Sequence, residues 1–182
     1  TEQTSGCNGE AETERPVLKF NLSAIPDNAT ITSVNFSVVV THPTQGQQTV
    51  RRLNNDQPEN LSCSTSALFD AMVDGATYGS FMNWNSGGIK TLDLGSSAVA
   101  DVQQRIKGSD ALALSIGSNA ELTAVIASSD VSPASRPNIV VTYTQPPEAP
   151  TYFALAGKTT SSLTWAWIEQ AFTETNNVVQ NQ

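Results

Sequence analysis

The stretch TITSVNFSVVVT, Thr30 to Thr41, decides the fold class. Val34, Phe36, Val38 and Val40 fall on one side of an extended chain, with Asn35, Ser37 and Val39 on the other. A period of two held over a full strand length, with β-branched residues at most apolar positions, specifies a strand with one dry and one wet face. Such a strand needs a second layer over its dry side. Pro26, Asp27 and Asn28 read as a turn just ahead of it. Before the turn, Val17–Leu22 sets Leu18, Phe20 and Leu22 against Lys19 and Asn21. These two strands are expected to pair antiparallel, their apolar sides in one core.

Working outward, residues 1–15 are polar and Glu-rich and read as an arm. After the turn His42–Gly46, Gln48–Leu53 reads as a hairpin return strand. Ser66 is placed to cap a short helix through Val73, with Leu68, Phe69, Met72 and Val73 as its apolar stripe. Thr77–Asn83 and Ile89–Leu94 are predicted strands, Leu92 and Leu94 facing the core. Val99, Val102 and Ile106 recur at helical spacing in Ser97–Lys107, with Ser96 or Ser97 as cap and Gly108 just past the end. Ala111–Gly117 and Glu121–Ser128 read as a hairpin around Asn119, and Asn138–Thr144 as the last strand of the domain. Three prolines within residues 146–150 make a stiff linker. Short, turn-punctuated strands at regular intervals predict an all-β fold: an antiparallel, jelly-roll-like β-sandwich with one or two short helices, filling residues 1–145.

Composition narrows the partners. At 182 residues the chain can bury one domain-sized core with a remainder. Only 14% of residues are charged, so solubility rests on Ser, Thr, Asn and Gln, as in extracellular β-proteins. A formal net charge of -8 would repel a phosphate backbone, which argues against nucleic acid. No apolar run approaches the roughly 18 residues of a membrane span. Thr1–Arg15 lacks a signal-peptide core, so any export signal is expected to have been removed or to lie outside this chain. Cys7 and Cys63 are expected to form a disulfide in an oxidising compartment, stabilising the fold by roughly 4 kcal/mol on the chain-entropy model. The sequons at Asn21, Asn28, Asn35 and Asn60 carry no functional weight in a chain so rich in Asn, Ser and Thr.

Catalytic signatures are missing. His42 is the only histidine and sits beside Pro43, so a triad or His-based metal site would have to be built around it. No G-x-S-x-G, H-E-x-x-H or Walker pattern occurs, and an enzyme is not expected. No cofactor is expected either; calcium is the ion that loop oxygens would suit, at Asp56 with Asn54 and Asn55, or at Asp70 with Asp74. Trp84, flanked by Asn83 and Asn85 before a Gly-Gly turn and joined by Tyr78, is the candidate ligand platform. An aromatic face beside amides can stack on a sugar ring and bond its hydroxyls. The competing reading is a Trp folded back as a lid on the core. Arg51 and Arg52 could attract an anionic polysaccharide or pair with nearby carboxylates.

The run RPVLKFNLSAIPDNATITSVNFSVVV, Arg15 to Val40, resembles the opening of the secreted bacterial and archaeal β-sandwich modules called DNRLRE domains. SSDVSPASRPNIVVTYT, Ser128 to Thr144, is similar to their closing strand, and Leu92-Asp93-Leu94 before the helix sits where they carry a similar element. The resemblance implies a jelly-roll-like sandwich, extracellular placement and, in some members, polysaccharide binding. APTYFALAGKTTSSLTWAW, Ala149 to Trp167, resembles the first two strands of a fibronectin type III domain, with Leu163 and Trp165 inward. A whole module needs about seven strands. Residues 151–182 are therefore expected to be part of such a module with a poorly ordered polar tail, or to pair with the first domain's open edge or a neighbouring molecule.

The expected function is a non-catalytic extracellular module of a secreted or cell-surface protein, in adhesion or polysaccharide binding. The alternative is a structural subunit of a filament or assembly built by β-strand exchange, its partner a neighbouring protein subunit.

Overall fold

A computed structural model describes residues 16–43, 47–54, 72, 74–81, 84–118, 125–127 and 132–146, and three later strands through their backbone pairing. The described residues form an all-β sandwich that carries an α-helix. Its strands are β1 (Val17–Asn21), β2 (Thr30–His42), β3 (Gln48–Arg52), β4 (Thr77–Phe81), β5 (Gly88–Asp93), β6 (Ala111–Ser118), β7 (Val125–Ile126) and β8 (Asn138–Thr144). Then come β9 (Phe153–Lys158), β10 (Leu163–Trp167) and β11 (Thr175–Asn181); the helix α1 spans Gly95–Arg105. One sheet, A, runs β1-β6-β3-β4 and the other, B, runs β11-β8-β2-β5, with β7 also on β2. Every pairing is antiparallel.

The alternation in β2 packs as expected, with Val34, Phe36, Val38 and Val40 all buried. Ile31, out of phase with them, is buried as well. The register on β8 slips between Ile31 and Ser33, placing two steps of β2 against one of its neighbour, and this bulge resets the alternation. The Ile31 N–H is taken instead by Gln103 Oε1 at 3.0 Å, while Gln103 Nε2 donates to the Ala29 carbonyl at 2.9 Å. One helix side chain thus holds the corner that leads into β2.

Strand partnership differs from the expected hairpins. β1 pairs with β6, not β2, and β3 pairs with β4 and β6. β7 joins β2, not β6. β1 and β2 lie in opposite sheets, and so do β2 and β3, so that the apolar faces of neighbouring segments meet across the sandwich where a hairpin would set them side by side in one layer. The shared core does form. Phe20 of β1 meets Phe36 of β2 across the sandwich, 6.1 Å between centroids. Leu22, Ile25 and Ala29 are buried in the crossing between them, whose turns are closed by Ile25 N to Leu22 O at 2.8 Å and Ala29 N to Pro26 O at 2.9 Å.

α1 begins two residues before the expected start, and neither Ser96 nor Ser97 caps it. Asp93 Oδ1 accepts from the Gly95 N–H at 2.8 Å, and Gly95 takes the left-handed φ of +74° that a side chain would resist. Ala98, Val102 and Ile106 enter the core, with Val99 half-buried beside it. β6 is buried on both faces: Leu112, Leu114 and Ile116 face the main core, and Ala113 joins Val17, Leu53 and Met72 in a second cluster. Apart from Met72, the helix expected over 66–73 lies outside the described residues, as do Cys7 and Cys63.

β9 and β10 form a two-stranded antiparallel sheet. The polar tail differs from the expectation of poor order. Thr175–Asn181 is a strand paired over its whole length with β8, from Thr175 opposite Thr144 to Asn181 opposite Asn138.

Candidate functional site

Trp84 follows β4 and turns inward. Its side chain is 1% exposed and stacks at a tilt on Phe81, 5.4 Å between centroids, with Phe36 beyond at 6.0 Å from Phe81. The expected sugar platform is corrected on this point: the aromatic face is used by the core, because burying an indole beside two phenyl rings gains more than leaving it in water. Among the described residues the indole N–H has no hydrogen-bond partner. Tyr78 is buried too, Asn85 is exposed on the turn, and Asn83 lies outside the described residues. Trp84, Tyr78 and Asn85 do not form one exposed surface.

Tyr78 belongs to a different constellation. Its hydroxyl donates to Asp101 Oδ2 at 2.5 Å, and Arg52 Nη1 donates to Asp101 Oδ1 at 2.9 Å. Arg52 Nη2 reaches Asn54 Oδ1 at 2.9 Å. Three elements meet here, since Arg52 ends β3, Tyr78 lies on β4 and Asp101 on α1. Burial, and then the hydrogen bond to Asp101, hold the Tyr78 phenol protonated far above its ordinary range. Burial and the nearby Arg52 charge push the Arg105 guanidinium below its ordinary value. Both oxygens of Asp101 are engaged, so the arrangement fastens the helix to sheet A. Of the two arginines weighed for anionic sugars, Arg52 pairs with this carboxylate and Arg51 donates to Thr77 Oγ1 at 2.8 Å.

His42 ends β2 on the surface, with its Nδ1 3.5 Å from Thr41 Oγ1. Of the oxygens weighed for calcium, Asn54 is engaged by Arg52 and Asp74 is exposed, while Asn55, Asp56 and Asp70 lie outside the described residues. Among the described residues no three His, Cys, Asp or Glu side chains cluster as a metal site. Nor is any described helix long and apolar enough to cross a membrane.

What the sandwich presents outward is the wet face of sheet B. Register places Ser33 beside Thr142, Asn35 between Val140 and Asp93, and Ser37 between Asn138 and Thr91. Ser37 and Thr91 share a hydrogen bond at 2.8 Å, and Thr32 donates to the Thr142 carbonyl at 3.0 Å. Ile89, opposite Val39, is 70% exposed at one margin. Hydroxyls and amides make up most of this face, interrupted by Val39, Val140 and Ile89, at the roughly 4.8 Å spacing of neighbouring strands. Period-two alternation in β2, β5 and β8 made these positions findable from the sequence; the Arg52–Asp101 pair, 49 residues apart, left no local sign.

No family model matches the chain, and no curated protein matches it.

Proposed function

We propose that the chain is a non-catalytic extracellular module of a secreted or cell-surface protein whose outward face on sheet B makes adhesive contacts, with a neutral polysaccharide as the ligand. The observation that carries this reading is the array of Ser33, Asn35, Ser37, Thr91, Asn138 and Thr142. Hydroxyl and amide groups both donate and accept, as sugar hydroxyls do. Asp93 is the one charged group in those rows, and its Oδ1 is already bound to a backbone N–H. The resemblance of Arg15–Val40 and Ser128–Thr144 to DNRLRE modules supports the extracellular placement. The test is a polysaccharide array or pull-down comparing the native chain with Asn35→Ala/Thr91→Ala at unchanged melting temperature. Binding that falls at least tenfold in the variant supports the reading, and binding to no polysaccharide rejects it.

A second reading is a structural subunit assembled by β-strand exchange. The pairing of Thr175–Asn181 with β8, from beyond a thirty-residue excursion, favours it. Size-exclusion chromatography over a concentration series tests it; a monomer throughout counts against it.

A further inference from the structure

β8 is an interior strand only because β11 covers it. One edge of β8 pairs with β2 and the other carries β11 in an unbroken register of seven residues. Without that cover, NIVVTYT would present a row of unpaired backbone groups in a β-branched, aromatic strand, the kind of edge that recruits another chain. The covering strand does not come from a tight turn. Thr144 and Thr175 stand opposite each other, yet residues 145–174, which include the β9–β10 pair, lie between them. A two-residue hairpin would oblige β11 to fold back on its own β8; a thirty-residue excursion imposes no such restriction. The composition of β11, TNNVVQN, has two apolar residues in seven, so backbone hydrogen bonds are its main means of attachment. Those bonds are the same whichever copy supplies the strand.

We propose that the outer edge of β8 is a strand-acceptor site that takes Thr175–Asn181 from a second copy of this chain, joining modules by exchange of their last strand. The proposal rests on the structural-subunit reading above and names its joint. Tethering through thirty residues holds the chain's own strand at an effective concentration on the order of a millimolar. Exchange therefore prevails where modules are crowded to a similar density, as subunits of an assembly are, and gives way to self-pairing on dilution.

Val140 and Val179 are directly opposite in the register. Opposed residues of antiparallel strands have Cα atoms about 4.5–5.5 Å apart, within the range a disulfide spans. Co-expression of one chain carrying Val140→Cys with another carrying Val179→Cys allows a bond at this position only between copies. After oxidation and concentration, a covalent dimer whose linked peptide joins residues 140 and 179 is expected, absent from either variant alone, which controls for Cys7 and Cys63. If the native chain forms oligomers but that link is missing, and the double variant Val140→Cys/Val179→Cys links only within one chain, exchange is overturned while assembly by another joint stands. If the native chain is a monomer at every concentration, the structural-subunit reading fails as well.

Discussion

Tyr78 donates its phenolic hydrogen to Asp101 Oδ2 across 2.5 Å, tying β4 to α1. Burial first, and this bond second, raise the phenol pKa far above its ordinary value. An unfolded chain releases that proton near pH 10. Above this pH the unfolded state binds fewer protons than the folded one, so stability falls as pH rises beyond about 10. Tyr78→Phe removes the titration and keeps the ring. Melting temperatures from pH 8 to about 11 should decline less steeply in the variant than in the native chain. Equal slopes would reject this role for Tyr78.

Asp101 holds Arg52 as well as Tyr78, with the two charged side chains 28% and 16% exposed. Asp101→Ala leaves a guanidinium and a phenol without their acceptor, and is expected to cost about 2 kcal/mol. Partial burial shields the pair from counter-ions, so the loss measured by urea unfolding should change little between low salt and about 0.5 M. A loss that vanishes with salt would mark a surface ion pair instead.

Gly75 and Gly117 separate two uses of glycine. A Cβ on Gly75 collides with the Arg52 carbonyl oxygen, in a segment held by Arg52 N to Ala76 O at 2.9 Å. A Cβ on Gly117 meets no atom of the described residues within 4 Å. Gly75→Ala should destabilise by about 2–3 kcal/mol, since backbone must move to admit it. Gly117→Ala should stay within about 0.5 kcal/mol of the native chain. Chemical denaturation of the two variants side by side checks both values.

Phe36 is fully buried between Phe20 and Phe81, at 6.1 Å and 6.0 Å between ring centroids. Truncation to alanine removes its contacts to two strands of the facing sheet at once and is expected to cost about 3–5 kcal/mol. Asn35→Ala, one residue away on the wet face, should change stability by less than about 0.5 kcal/mol. The contrast, read from urea midpoints, measures how strictly alternation divides the two faces of β2.

Facing was legible in the sequence and partnership was not. Val34, Phe36, Ile139, Val141, Tyr143 and Leu94 point where the period of two places them, because alternation is a local property of the strand. Which strand lies beside which depends on contacts far apart in sequence. Phe20 meets Phe36 across the core, not along a hairpin, and β6 sits between β1 and β3. Gln103 holding Ala29 and Ile31 is of the same kind, a helix side chain reaching more than seventy positions back. At the candidate site, the wet positions of β2 were readable, whereas Trp84 followed by Asn and Gly-Gly was open to either reading. Three-dimensional packing against Phe81 decided it. β11 shows the opposite failure: too few apolar residues to announce a strand, and an edge needing cover that no local pattern reveals.

Ala111–Ile116 is flanked by β1 and β3 and packed above and below, with Ser115 donating to the Met72 carbonyl at 2.6 Å. Neither side nor margin of this segment is available to a ligand or a subunit. A methylene added or removed there disturbs two interiors together, so evolutionary or designed diversification is expected to spare it. Novelty in this scaffold has room at Ser33, Asn35 and Ser37, while the small-large rhythm of Ala111–Ile116 stays fixed.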